Sequence, residues 1–317
     1  MKQAERLPSP VRRKNGVVRE AKRNWQLYTM CAPAVILVFI FQYLPMVGIL
    51  MAFQDLDYRS GLFTSPFVGL RNFEFLFASD MIKHITFNTV VYNVVFIIVN
   101  TSLAIGLALV INELTNRTFA KIMQTIIIMP YFLSTVVLAM IVYAFLAYQY
   151  GFGNQFLATL GLEPQNWYNE PKFWPFFFVF ISAWKGIGFG SVTYTAVISG
   201  ISQEYYEAAT LDGASRAQQI RYITIPHLRF IFCINLINSI GGMFRSDFGL
   251  FYTVTRNSGA LYNVSQTLDV YIYNALQSMT NLGMTTAAGL YQSFVGFILI
   301  LIANKIIKSI DPDSAMF

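Results

Sequence analysis

Three charged residues stand inside otherwise apolar sequence: Lys185, Arg245 and Asp247. Lys185 falls about halfway along an apolar run over residues 173–200, roughly 18 Å from its start at 1.5 Å per residue. A cation at that depth is costly unless it faces protein, water or a ligand. Arg245 and Asp247 are two residues apart in the run 230–253, so on a regular helix they point to different faces and cannot pair. Around them Phe244, Phe248, Phe251 and Tyr252 recur at i, i+4, i+7 and i+8, an aromatic stripe. Aromatic faces suit sugar rings, and charged groups suit hydroxyls or carboxylates. The chemistry on offer is recognition of a polar ligand within a membrane. An interhelical salt bridge accounts for Lys185 as readily, and packing or lipid contact for the aromatics. Bond-breaking chemistry has little to work with. His84 and His227 are isolated at membrane boundaries, with no triad and no metal site. A phosphate-binding loop needs Gly-Lys before Ser or Thr, and the sequence contains no Gly-Lys pair. Gly186, Gly188 and Gly190 imitate a dinucleotide loop, but their place within a span predicts a close helix contact instead.

The elements that must hold these residues are long apolar segments. The chain has 317 residues, 55% hydrophobic and 12% charged, against roughly 25% charged in a soluble domain. Six runs reach the ~20 residues that a bilayer crossing needs: about 28–53, 86–111, 122–147, 173–200, 230–253 and 283–307. The expected architecture is an all-α, six-helix polytopic transmembrane fold. Residues 1–27 read as a cytoplasmic tail, 28–317 as the membrane domain and 201–229 as a loop within it. Fifteen of the 22 Lys and Arg residues fall in residues 1–24, 112–121, 201–229 and the C-terminal end, against five in the intervening loops. That split puts both termini and the 201–229 loop in the cytoplasm. The net charge of +6 is therefore a topology signal and no evidence for nucleic acid. Residues 1–24 are too long and polar for the start of a cleaved leader, and the first apolar run is too long for its core, so that run is expected to remain a span. Cys31 and Cys233 lie in apolar runs and predict no disulfide framework. Pro130 near the start of the third run predicts a tolerated kink. Of the outer loops, 148–172 is turn-rich, and 254–282 reads as loop followed by a short helix over Leu268–Ser278.

Between the fourth and fifth runs lies a compact polar insert, EAATLDGASRAQQIRYITIP, residues 207–226. Ser202 can cap a helix whose first turns carry Glu204 and Glu207, where carboxylates suit the helix dipole. Gly213 permits a backbone turn that other residues resist. Ser215 followed by Gln218 is a capping-box pattern for a second helix, which Pro226 should end by Thr224. A helix, a glycine turn and a second helix leading into the fifth span form a rigid knob with no pocket of its own, built to touch a partner.

These residues carry a resemblance. Glu207, Ala208, Ala209, Gly213, Ile223, Ile225 and Pro226 match the pattern EAA-x3-G-x9-I-x-(L or I)-P of permease subunits of bacterial ABC importers. Asp212–Gly213–Ala214–Ser215 is the form typical of the maltose-type, carbohydrate-uptake class. Val68–Phe73, the Gly153–Asn154, Leu162 and Trp167 group, and Thr267–Leu268 with Tyr271–Tyr273 resemble that class's outer loops. Ala287–Ser293 with Asn304–Lys305 is similar to the branch importing complex oligosaccharides, often called the LplB-like permeases. The resemblance implies a multi-pass protein of the bacterial inner membrane that is not itself an enzyme. It implies a second, homologous permease subunit, a pair of ATPase subunits that bind ATP and Mg, and an extracytoplasmic solute-binding protein that delivers a sugar. It places Glu207, Ala208, Ala209, Asp212, Gly213 and Pro226 in the coupling helix and its flanks. In related importers the fifth span contributes to the sugar site, making Lys185, Phe244, Arg245, Asp247, Phe248 and Tyr252 the substrate-cavity candidates. With two cations in the spans against one anion, the expected cargo is an oligosaccharide bearing carboxylates, with a neutral glycan as competitor. The rival reading is an ion-coupled secondary transporter, which predicts broken helices in inverted repeats, and neither is visible in the sequence.

Overall fold

The computed structural model describes residues 23–56, 61–278 and 281–310. Residues 1–22, most of the predicted tail, lie outside this range.

Residues up to Leu50 form one unit. Its helix α1 (Trp25–Val38) carries Pro33 and widens into a π-turn over Phe39–Tyr43, followed by a tight 3₁₀ stretch, Leu44–Phe53. The segment is apolar throughout and long enough to cross a bilayer.

The second unit, from Met51 onward, is built on α2 (Asp80–Glu113), the bent pair α3 (Arg117–Ile128) and α4 (Thr135–Leu146), the outer helix α5 (Phe152–Thr159), and α6 (Trp174–Ser199). The short helices α7 (Gln203–Leu211) and α8 (Arg216–Gln219) precede α9 (Arg229–Gly241). The outer helix α10 (Leu268–Gln277) and the last span α11 (Leu282–Ile310) complete it. Among the described residues four segments are long and apolar enough to cross a membrane, and six if each of two bent pairs counts as one span.

The two bends correct the expectation of six continuous helices. In the third span Pro130 opens a 3₁₀ turn, Met129–Phe132. Leu133 and Ser134 are extended, and the Ser134 hydroxyl caps α4 by accepting the Val137 N–H at 3.3 Å. The tolerated kink is a 95° break. In the fifth region Ile225 stays helical, against the expectation that Pro226 ends the helix by Thr224. A π-turn over Ile220–Thr224 accommodates the proline, which has no N–H to donate, and the chain bends by 56° at Leu228 instead. Helix α9 then spans only about 20 Å at 1.5 Å per residue, short of the ~30 Å hydrocarbon layer. It stops at Gly241–Gly242, and helical structure resumes as a π-turn, Gly249–Val254.

The span α6 packs along α2 and also against α3, and the glycines explain how closely. An added Cβ at Gly188 would overlap the Ile127 carbonyl of α3, and one at Gly190 would meet the Ala104 Cβ of α2 at 3.3 Å. The dinucleotide-like run is a helix contact, as its position in a span implied. The main core joins Tyr92, Phe96, Leu138, Val142, Trp174, Phe178, Leu250 and Phe251, with Phe178 and Phe251 centroids 4.6 Å apart.

Candidate substrate cavities and coupling surface

The break after Gly242 puts Arg245 and Asp247 on irregular backbone rather than on a helix face. The consequence is that they open onto different cavities. Arg245 lines a cavity of about 410 Å³ with Phe248, Asp269, Tyr273, Gln292 and Ser293. Asp247 lines another of about 220 Å³ with Lys185, Asn100, Tyr131 and Ser182.

Both residues flanking Arg245 are pinned. The Asp269 carboxylate accepts the Ser246 N–H at 2.5 Å and the Ser246 hydroxyl at 2.8 Å. Gln292 donates to Asp269 at 2.9 Å and to the Phe244 carbonyl at 2.6 Å. Ser246 also shares a hydroxyl contact with Thr267 at 2.7 Å, and the Leu268 N–H reaches Thr89 of α2 at 3.0 Å. The Arg245 side chain itself is exposed, with no ion pair, side-chain hydrogen bond or ring partner among the described residues.

In the smaller cavity Lys185 is half-buried, and no ion pair joins it to Asp247 among the described residues. Asp247 instead accepts the Leu250 N–H at 3.0 Å, capping the π-turn that resumes the fifth span. Asn100 donates to Ser182 at 2.9 Å, which leaves its buried side-chain oxygen unpartnered toward the same region. Tyr131, at the break in the third span, stacks on Phe189 with centroids 4.2 Å apart.

The predicted aromatic stripe does not survive the break, because the i, i+4, i+7 rule requires an unbroken helix. Phe244 is buried in a separate outer core against Leu76, Ile85 and Leu268, and Phe251 is wholly buried in the main core. Phe248 alone of the four lines the Arg245 cavity. Tyr252 stacks behind it at 4.8 Å, and Tyr273 closes a three-ring group at 4.8 and 4.9 Å. Asp269 and Tyr273 lie outside the spans and escape a reading centred on them, and Gln292, although within the last span, drew notice only as part of the Ala287–Ser293 run. Asp269 looks like an ordinary first-turn acid of an outer helix, and its one signal is the Thr267–Leu268 helix start.

The outer segment is fastened to the spans in other places. His84 donates to the Asn263 carbonyl at 2.7 Å, and Asn88 to the same oxygen at 2.9 Å. Arg256 lies 4.1 Å over the Tyr143 ring. Tyr168 donates to the Val254 carbonyl at 3.3 Å, and burial pushes its phenol up to about 12, keeping it protonated. His227 bonds its own helix through the Ile223 carbonyl at 2.6 Å. No cluster of three metal-ligating side chains occurs among the described residues.

In the loop between the fourth and fifth regions the expected knob is present. Ser202 caps α7, and Ser215 and Gln218 form the reciprocal capping box of α8. Gly213 has φ +78°, a left-handed conformation. Its N–H bonds to Thr210 and that of Ala214 to Ala209, the pair of bonds that closes a helix at glycine. Gln219 bridges α8 back to Thr210 at 2.9 Å, and Tyr206 meets Thr224 at 3.0 Å. Glu207, Ala208 and Asp212 are exposed, and Leu211 is 90% exposed. Ala209 is half-buried, and Pro226 sits at the start of a short helical turn.

With these features in place, the chain belongs to the family of binding-protein-dependent transport system inner membrane components, whose model matches residues 100–312. It is similar to the polygalacturonan/rhamnogalacturonan transport system permease protein YteP of Bacillus subtilis (strain 168), 31% identical over 89% of this chain and 87% of that protein. Protein LplB of the same organism is 30% identical over 92% and 91%. Among solved structures, a bacterial ABC transporter involved in the import of the acidic polysaccharide alginate superposes with TM-score 0.85 and 29% identity, covering 93% of this chain and 99% of that one. A bacterial alginate ABC transporter in complex with an alginate pentasaccharide-bound periplasmic protein gives a TM-score of 0.83. Broken helices are present after all, so it is family membership, not helix continuity, that sets aside the secondary-transporter alternative.

Proposed function

We propose that this chain is the permease subunit of an ATP-driven importer that carries an oligosaccharide bearing carboxylates across the bacterial inner membrane. An extracytoplasmic binding protein delivers the sugar to the outer face. A second, homologous permease completes the pathway, and two ATPase subunits hold ATP and Mg on the cytoplasmic side, where both termini also lie. The observation that carries the reading is the knob at residues 202–226: rigidly capped, fastened to the head of the fifth region, and presenting Glu207, Leu211 and Asp212 outward. A nucleotide-driven closure of the ATPases would push this knob and swing the spans between outward and inward access.

The sugar reading is supported by the relatives named for pectin-type polymers and by the structural neighbour's alginate. The charge count in the sequence needs correction, since Asp269 joins Asp247 and makes two acids to two cations around the cavities. Support for an acidic cargo lies instead in the two cations themselves, neither of which has an ion-pair partner among the described residues. A cation in a membrane domain is kept where something offsets its desolvation.

The test is affinity purification of the tagged chain followed by uptake in proteoliposomes. ATPase and second permease should co-purify, and uptake should require ATP, binding protein and an oligosaccharide. Uptake that continues without any ATPase subunit would overturn the proposal.

A further inference from the structure

The Arg245 cavity contains a device that goes beyond a charged wall. The backbone on both sides of Arg245 is tied down by side chains from two other elements. Asp269 of α10 holds the Ser246 N–H and hydroxyl, and Gln292 of α11 holds the Phe244 carbonyl. Gln292 also bonds Asp269, so the two straps form one network. Asp269 therefore has both oxygens occupied by protein donors, and Arg245 is left as the cation without a partner on the same cavity wall. Irregular backbone at membrane depth is tolerated where it is held by protein or lines a cavity, and here it does both.

We infer that Asp269 and Gln292 are positioning residues that fix the turn at Phe244–Ser246, so that the Arg245 guanidinium is presented, preorganised, to a carboxylate of the transported sugar. This inference rests on the importer reading above and deepens it. Guanidinium binds carboxylate through two parallel N–H donors, and that geometry is lost if the backbone beneath it wanders. Fixing the turn in advance spares the complex the entropy of ordering it when sugar arrives. The neighbouring Phe248, stacked on Tyr252 and tilted against Tyr273, offers an apolar face beside the cation for the sugar ring. Asp269 does not itself touch the cargo. It acts through Ser246.

The experiment uses the assembled complex in proteoliposomes, with binding protein in saturating excess and two labelled cargoes in competition: a galacturonate oligosaccharide and its neutral galactose counterpart. The readout is the acidic-to-neutral uptake ratio. Arg245→Met should lower that ratio about tenfold or more, the size expected for losing a charge-assisted contact. Asp269→Asn should lower it in the same direction, Asp269→Glu should restore part of it, and Gln292→Met provides a second way to cut the straps. The double variant Arg245→Met with Asp269→Asn should be no worse than Arg245→Met alone, because both act through one guanidinium. Equal loss of acidic and neutral uptake in Asp269→Asn, or additive losses in the double variant, would overturn the inference and leave Asp269 a structural clasp. A wild-type complex that imports only the neutral sugar overturns it too while leaving the importer intact. Failure of the importer reading has its own signature, absence of ATP-dependent uptake of either cargo by the wild type.

Discussion

Asp269 accepts the backbone N–H of Ser246 at 2.5 Å and its hydroxyl at 2.8 Å, so an outer-loop carboxylate holds the point where the fifth span loses its helix. The span needs such a hold. After Gly241 the helical ladder stops; Gly242, Met243 and Arg245 still donate to local carbonyls, but the Ser246 N–H finds its acceptor in Asp269, and a backbone N–H left unpartnered in hydrocarbon costs several kcal/mol. The same break separates Arg245 from Asp247 and gives each its own cavity.

The proposed coupling role of the Gly213 turn depends on a backbone conformation, and this can be separated from sterics. An added Cβ at Gly213 meets nothing within 4 Å, while φ is +78°. Gly213→Val should therefore act through backbone strain alone, at about 1–3 kcal/mol for a residue forced into a left-handed conformation. In the reconstituted complex, uptake and binding-protein-stimulated ATPase should fall together, with Gly213→Ala milder than Gly213→Val. Glu207→Ala, which removes an exposed carboxylate from the knob, should also depress both. Wild-type values for all three variants would remove the knob from the coupling route.

Asp247 does two jobs that substitutions can tell apart. It caps the resumed helix through the Leu250 N–H and it shares a cavity with Lys185. Asp247→Asn keeps an acceptor for the cap but removes the charge, so uptake should fall with little change in Tm. Asp247→Ala loses the cap as well, and Tm should drop in keeping with about 1 kcal/mol. Wild-type uptake in Asp247→Asn would show that the charge has no role in transport, and equal Tm values for Asn and Ala would remove the cap from stability.

Packing of α6 against the third span sets a further expectation. Because a Cβ at Gly188 runs into the Ile127 backbone carbonyl, not into a flexible side chain, the helix must shift to accept it. Gly188→Val should destabilise the purified complex by roughly 1–3 kcal/mol or more, as overpacking does. Gly190→Ala, facing the Ala104 Cβ at 3.3 Å, should cost less. A thermal-unfolding series in detergent decides the order.

Membrane orientation is open to labelling. In a background with Cys31 and Cys233 replaced, single cysteines at Gln165 and Ala260, both exposed, should react with an impermeant maleimide added from outside. A cysteine at Gln218 should be protected until the membrane is opened. The opposite pattern would invert the topology.

The sequence alone determined much of this protein, and the reason is locality. Span existence follows from runs of apolar residues, and the knob from caps and a glycine acting within a few positions. The Ser202 cap, the Ser215–Gln218 box and the Gly213 turn are all short-range devices, and the structure places each where the pattern put it. What only the tertiary structure decided is where helices break and what then meets. Periodicity assumes an unbroken helix, so it set Phe244, Phe248, Phe251 and Tyr252 on one stripe. The chain instead sends Phe244 to one core, Phe251 to another and Phe248 to a cavity. Helix α9 ends at a pair of glycines because other elements are there to satisfy the backbone it releases. Asp269 and Gln292 come from 23 and 46 residues beyond Ser246, and no local rule connects residues that far apart. Arg245 and Asp247, two residues apart in the sequence, line two different cavities in the structure, one with Asp269 and the other with Lys185.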